Sequence, residues 1–168
     1  MTTVLGIDPG VSGAVGILSS NGAFVDLFDM PTVLANKSSN RQMVSPIELA
    51  NRLRVFMTAY HGNVVAVTEN VNAMPDQGVA SVFAFGKSYG ILLGVLAALG
   101  ISTHVVSPAK WKGYYALGRE KDQSRELAQR IYPAAPLGLK KHHNRAEALM
   151  LARYYWETQL RSLPDKPF

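Results

Sequence analysis

The stretch that decides the fold is residues 3–29, "TVLGIDPGVSGAVGILSSNGAFVDLFD". Three short apolar runs lie in it, separated by residues that favour turns. The first run ends in residues 8–10, "DPG", which is typical of a buried strand that feeds a tight turn. The other two runs flank the Asn21-Gly22 dipeptide, a strong signal for a hairpin turn. The stretch therefore predicts a three-stranded antiparallel meander.

The remainder of the chain alternates between helix and strand patterns. The polar stretch 33–44 predicts a loop. The elements predicted after it are a helix at 45–57, a strand at 63–69, a long apolar helix at 79–99, a strand at 102–106, and helices at 107–115, 121–132 and 144–160. Crossovers that follow a meander imply a mixed sheet of the α/β class, with five strands and helices on both faces. Because no linker or repeat divides the chain, we expect one domain over residues 1–160 and a C-terminal tail at 161–168.

Composition restricts the class of protein. The 168 residues are 48% hydrophobic and 17% charged, which is typical of a globular domain. The absence of cysteine excludes a disulfide framework, a cysteine zinc site and a thiol nucleophile. The N-terminus has no basic segment before its apolar residues, and the most apolar segment, 90–101, is too short to span a bilayer. We expect a cytoplasmic protein, in a bacterial or phage-infected cell, with no membrane partner.

Positive charge is concentrated in one part of the chain. The net charge is +5, and between residues 110 and 145 nine Lys or Arg stand against three acids. Clustered Lys and Arg favour a polyanionic partner such as nucleic acid. A basic surface without a partner explains the charge equally well at this point.

The long apolar helix carries Gly86, Gly90 and Gly94, spaced by four residues, so one of its faces is nearly smooth. Each glycine inside a helix costs about 1 kcal/mol relative to alanine, which suggests that another backbone approaches this face. Packing on the sheet is the favoured explanation, and a subunit interface is the second.

Two acids, Asp8 and Glu69, each end an apolar strand. If the two strands are parallel neighbours, as a crossover helix requires, their ends lie ~4.8 Å apart at the carboxyl edge of the sheet. Carboxylates this close repel each other unless a cation lies between them, and oxygen ligands select Mg²⁺ or Mn²⁺. For Asp8 alone, a turn role or the phosphate loop of an actin-like ATPase is an alternative, since "DPGVSG" fits both.

Residues 140–151, "KKHHNRAEALML", supply a third acid, Glu147. His143 and Asn144 precede it by four and three residues, so all three share a helical face that begins the last predicted helix. His143 and Glu147 are therefore candidates to join Asp8 and Glu69 as ligands. The alternative is an exposed first turn with solvated histidines.

Four segments together resemble RuvC-type Holliday junction resolvases in order and spacing: "GIDPGVSGAVGI", "VVAVTE", "SPAKWKG" and "NRAEALMLARY". The resemblance points to the phage-encoded branch of the family and covers about residues 3–156. It implies a ribonuclease H-like fold, a homodimer, two Mg²⁺ ions per site (with Mn²⁺ as a substitute), and paired nicks in four-way or related branched DNA that leave 5′-phosphates.

The resemblance assigns Asp8, Glu69 and Glu147 to three of the family's four acidic metal ligands. The fourth acid of the family lies about one turn before the last, but residues 127–146 contain no Asp or Glu. The candidates for that position are His142, His143 and Asn144, with His143 favoured as a ligand or as a base for water and Asn144 second.

The resemblance also implies contacts with DNA. Lys121 matches a basic residue that could stabilise charge in the transition state, and Met74 lies where relatives insert an apolar side chain between bases. The complete set of predicted DNA-binding residues is Lys110, Lys112, Lys121, Lys140, Lys141, Arg145 and Met74. Two other functions remain: a junction-binding protein that has lost cleavage, and an actin-like phosphotransferase, for which 168 residues leave no second nucleotide-binding half.

Overall fold

The computed structural model describes residues 1–35, 40–59, 62–72, 78–118 and 120–161, with the side chain of Lys121 outside the described part. The strands are β1 (Thr2–Asp8), β2 (Ala14–Leu18), β3 (Phe24–Asp29), β4 (Thr32–Leu34), β5 (Gln42–Val44), β6 (Asn63–Glu69) and β7 (Ser102–Val106). The helices are α1 (Pro46–Ala59), α2 (Val79–Ala98), α3 (Pro108–Tyr114), α4 (Lys121–Ile131) and α5 (His143–Tyr155). A 3-10 turn, Lys140–His142, precedes α5, and a π-helical segment, Trp156–Leu160, follows it.

Five of the strands form one mixed sheet in the order β3-β2-β1-β6-β7. β1, β2 and β3 are antiparallel neighbours, whereas β6 and β7 run parallel to β1. The predicted meander and the predicted five-stranded mixed sheet are both confirmed.

The prediction of a loop at residues 33–44 is wrong, because β4 and β5 pair there as a small antiparallel hairpin, with Thr32 opposite Val44. Each strand has only three residues, too few for an alternating pattern to stand out in the sequence. Val44 is fully buried, and its packing in the core holds the end of this hairpin.

Helices cover both faces of the sheet because successive strand residues point to opposite sides. In β1, Leu5 and Ile7 pack with residues of α1 and α2, whereas Val4 packs with residues of α3, α4 and α5. The central strand is thus buried on both sides, which explains its almost continuous apolar sequence.

α5 lies directly on β1 and β2, and two glycines allow this close approach. A Cβ added to Gly6 would stand 2.0 Å from the carbonyl oxygen of Ala148, and one added to Gly16 would stand 2.9 Å from Leu149. Any larger residue at either strand position would push the helix away. The contact fixes the height of α5 above the ends of β1 and β6.

The prediction that the glycine face of α2 packs on the sheet is wrong. A Cβ added to Gly86, Gly90 or Gly94 would meet nothing within 4 Å, so this face points away from the described part of the chain. Instead, α2 packs through a different face, on which Leu92 and Leu96 are fully buried. By length and composition alone, this 20-residue helix, with a mean hydropathy of 1.6, is long and apolar enough to cross a membrane.

Candidate metal centre

Three carboxylates meet at the carboxyl edge of the sheet. Asp8 ends β1, Glu69 ends β6 and Glu147 lies in the second turn of α5; one oxygen of each lies within 4.8 Å of the others. The parallel register that pairs Ile7 with Thr68 brings the next residues of the two strands side by side. The predicted proximity of Asp8 and Glu69 is therefore confirmed, and the three acids form one cluster.

Glu147 reaches this cluster because of the residues around it. Ala146 and Ala148 are fully buried, and Glu147 itself is only 9% exposed. A buried acid needs a positive or hydrogen-bonding partner, and α3 provides one.

Two consecutive residues of α3 contact two of the three acids. The indole Nε1–H of Trp111 donates a hydrogen bond of 2.7 Å to Oε1 of Glu69. The ammonium group of Lys112 lies 2.8 Å from Oε1 of Glu147. β7 ends beside Glu69, where Val106 pairs with it, and Ser107 and Pro108 begin α3 immediately afterwards.

Sequence reasoning missed Trp111. The available signal was a tryptophan beside a lysine in a helix that starts at the carboxyl edge of the sheet. A buried indole N–H almost always has an acceptor, and acids are the acceptors at this edge.

The electrostatics of the cluster favour a bound cation. Burial raises the pKa of Glu69, the hydrogen bond from Trp111 lowers it, and the charge of Glu147 raises it again. Lys112 lowers the same pKa, but one ammonium group balances only part of the charge of three carboxylates. A compact set of carboxylate oxygens is the donor set that Mg²⁺ and Mn²⁺ prefer, so these residues fit a divalent ion.

Within the described ranges, the group of acids and histidines whose ligand atoms are close enough to share an ion contains no histidine. Nδ1 of His143 lies 3.4 Å from the carbonyl oxygen of Lys140. Asn144 instead donates from Nδ2 to the carbonyl oxygen of Ser12, at 2.6 Å, and so ties α5 to the loop that follows Asp8.

His142 caps the turn before α5, because its Nδ1 accepts a hydrogen bond of 3.3 Å from the backbone N–H of Leu139. Burial and the neighbouring positive charges of Arg145 and Lys141 hold the pKa of His142 below its ordinary value. Its ring is therefore neutral at neutral pH.

The predicted DNA-binding residues are placed in three ways. Lys110, Lys140 and Lys141 are exposed, whereas Lys112 is paired with Glu147. Arg145 forms a bidentate ion pair with Asp29, with Nη2 2.7 Å from Oδ2, which joins α5 to the end of β3. Met74 lies outside the described residues, as does the side chain of Lys121.

Comparison with known proteins gives similarity in structure only. No protein-family model and no curated protein matches the sequence. Among solved structures, the chain is similar to Thermus thermophilus RuvC in complex with a Holliday junction substrate, with a TM-score of 0.67 and 15% identity over 92% of this chain and 93% of that one. A second Thermus thermophilus RuvC structure gives a TM-score of 0.63 and 18% identity over 94% and 97%. The chain has the ribonuclease H-like fold of these RuvC structures.

Proposed function

We propose that the protein is a metal-dependent endonuclease that resolves four-way and related branched DNA junctions by paired nicks. The observation that carries this proposal is the cluster of Asp8, Glu69 and Glu147 at the carboxyl edge of the sheet. The similarity to a RuvC structure with a Holliday junction substrate supports the choice of DNA. The resemblance of the sequence motifs supports the phage-like branch, and the absence of cysteine is consistent with the proposed cytoplasmic site of action.

The three carboxylates would hold the metal, proposed as two Mg²⁺ ions, or Mn²⁺ in their place. Ions held there would supply an activated water and neutralise charge on the phosphate, so no covalent intermediate is proposed. The resemblance of the sequence motifs implies a 5′-phosphate product. Asp8, Glu69 and Glu147 contribute by being fixed before substrate arrives: two lie on strand ends, and the third lies on a helix packed against those strands. His143 remains the proposed fourth ligand or base, with Asn144 second.

We propose that the ammonium group of Lys112 exchanges Glu147 for a DNA phosphate. In the described structure its ammonium group neutralises part of the acid cluster, and its side chain is 30% exposed. If divalent ions neutralised the acids instead, Lys112 would be able to contact a phosphate of the scissile strand. Lys110, Lys140 and Lys141 are exposed and remain proposed contacts to DNA phosphates.

Paired nicks require two active sites, and we propose that α2 forms the interface of a homodimer. The helix exposes Val79 and Phe83, at 86% and 75%, and its three-glycine face meets no other described residue. Glycines at four-residue spacing allow two helix backbones to approach closely, and pairing would remove the apolar side chains from water. Lys87 lies near the middle of this helix, which makes burial in lipid costly.

The dimer is tested by Phe83→Glu, with Val55→Glu as the matched control, because Val55 is 71% exposed on α1. We expect Phe83→Glu to be monomeric in analytical ultracentrifugation and Val55→Glu to remain dimeric like the parent protein. A parent protein that is monomeric at working concentration while still making paired nicks would contradict the proposal.

Cleavage is tested with a labelled four-way junction and Mg²⁺ or Mn²⁺. We expect paired nicks from the parent protein, and no nicks but retained junction binding from Asp8→Asn and Glu69→Gln. Glu48→Gln is the control, since Glu48 is an exposed acid on α1 that pairs only with Arg52 among the ion pairs of the described residues. A shifted band without nicks from the parent protein would favour the alternative, a junction-binding protein without nuclease activity.

A further inference from the structure

We infer that Trp111 is a positioning residue of the metal centre, whose indole N–H holds Glu69 in the orientation that keeps it within reach of Asp8 and Glu147. The inference rests on the proposed function, because it concerns the same cluster. It adds a neutral side chain to a site otherwise composed of charged ones.

The contact between Trp111 and Glu69 is short and enclosed. The distance from Nε1 to Oε1 is 2.7 Å, and Trp111 is completely buried. Indole has a single donor and no acceptor, so the geometry of this bond follows from where the ring is packed. Trp111 belongs to the same core cluster as Val67 of β6 and Leu149 of α5, and these two elements carry Glu69 and Glu147.

The neighbouring contact shows why a neutral donor suits Glu69. The ammonium group of Lys112 forms an ion pair with Glu147, and a divalent ion bound by the cluster would repel that ammonium group. Trp111 carries no net charge, so its hydrogen bond survives when a cation binds. A carboxylate has about four lone-pair sites, so one N–H donor leaves the others for a metal.

Because Trp111 already restrains the Glu69 carboxylate, less side-chain conformational entropy is lost when a metal ion binds. A glutamate side chain has several rotamers, and Glu69 is held at its oxygen by Trp111 and at its backbone by β7. Residues that hold metal ligands in this way typically change metal affinity by about 10- to 100-fold when they are removed. Trp111 should therefore affect metal affinity more than the reaction at saturating metal.

The chain offers a matched pair of variants, because it contains only two tryptophans. Trp111→Phe removes the N–H donor and keeps most of the buried ring. Trp156→Phe removes the same kind of donor at the opposite end of α5, where Nε1 donates to the carbonyl oxygen of Ser20 at 2.9 Å. Both lose one indole hydrogen bond, but only the first faces an acid of the cluster.

The experiment is a Mn²⁺ titration followed by the electron paramagnetic resonance signal of free Mn²⁺, without DNA. We expect Trp111→Phe to bind Mn²⁺ at least about tenfold more weakly than the parent protein, and Trp156→Phe to bind it equally well. In junction cleavage, the Mg²⁺ concentration for half-maximal rate should rise in Trp111→Phe, while the rate at saturating Mg²⁺ recovers most of its parent value. A merely structural role predicts a lower melting temperature with an unchanged Mn²⁺ affinity, and that result would overturn the inference.

A second measurement decides the matter if Trp111→Phe does not fold. In Trp156→Phe, Trp111 is the only tryptophan, so saturation with Mg²⁺ should shift its emission, and adding Glu69→Gln should abolish the shift. Bound Mg²⁺ with unchanged emission would overturn the inference. If the parent protein binds Mn²⁺ but does not cut junctions, the proposed function is refuted and the Trp111 variants still decide the role of Trp111. If the parent protein binds no Mn²⁺, the proposed function and the inference about Trp111 are both refuted.

Discussion

Replacing Lys112 by methionine should destabilise the metal-free protein and make its stability depend on divalent ions. Lys112 lies 2.8 Å from Glu147, and the two side chains are 30% and 11% exposed. The other two acids of the cluster lie within 4.8 Å of Glu147. Methionine keeps the apolar stem of the lysine and removes its ammonium group, which lies 5.2 Å from the centroid of the Trp111 ring.

The magnitude follows from the charges left behind. At an effective dielectric constant of about 20, two unit charges 4.8 Å apart repel by ~3.5 kcal/mol. Breaking a fully buried ion pair costs about 3–5 kcal/mol, and the partial exposure of Lys112 reduces this. We expect a loss of about 2 kcal/mol in the free energy of unfolding, which for a domain of this size lowers the melting temperature by about 4–8 °C.

The assay is thermal unfolding of the parent protein and of Lys112→Met, each in chelator and in Mg²⁺. Because the ion and the lysine neutralise the same acids, Mg²⁺ should stabilise the variant more than the parent. Lys110→Met is the control: Lys110 is exposed on the same helix, and its loss should change stability by less than about 0.5 kcal/mol. Equal melting temperatures for parent and Lys112→Met in chelator, or an equal gain from Mg²⁺, would refute the reasoning.

Two further predictions concern stability. In urea denaturation, Gly6→Ala should lower the free energy of unfolding by at least about 3 kcal/mol, because its Cβ would lie 2.0 Å from a backbone oxygen of α5. Gly86→Ala should raise the free energy of unfolding of the monomer by about 1 kcal/mol, because its Cβ would meet nothing within 4 Å. The hydrogen bond from Arg145 lowers the pKa of Asp29 from its ordinary 3.8, so the pair stabilises the fold above about pH 4 and this contribution is lost as the pH falls through the lowered value. Arg145→Ala should therefore flatten the acid limb of a stability-pH curve by less than about 1 kcal/mol, since Asp29 is 64% exposed; an unchanged limb would exclude the pair as its cause.

The sheet was predictable from local signals. The Asn21-Gly22 dipeptide forces the chain to turn between two apolar runs, and the meander follows from that turn. The proximity of Asp8 and Glu69 was predictable for a related reason: a helix between two strands makes them parallel, and parallel strands end at the same edge. Both inferences depend on chain connectivity, which the sequence contains directly.

Contacts between distant side chains could not be predicted in the same way. Arg145 looked like a DNA-binding residue because it belongs to a basic run, yet its guanidinium pairs with Asp29, 116 residues earlier. The glycines of α2 indicated a close approach, but a four-residue repeat defines a helical face without saying whether the sheet or a second copy covers it. Trp111 was missed because its importance comes from an acceptor 42 residues away in the chain.

Charge balance shows how the proposed two-ion site could form without a fourth acid. Three carboxylates carry three negative charges. This is one more than a single divalent ion neutralises and one fewer than two divalent ions require. In the proposed reaction the scissile phosphate would supply the missing negative charge, and Lys112, which pairs with Glu147 in this structure, would leave that acid. The proposed fourth ligand, His143 or Asn144, adds no negative charge and is therefore compatible with two ions when DNA is bound. We expect one Mn²⁺ per protomer without DNA and two with a four-way junction, counted by the resonance signal of free Mn²⁺; two tightly bound ions in the absence of DNA would require a fourth anionic ligand and contradict this balance.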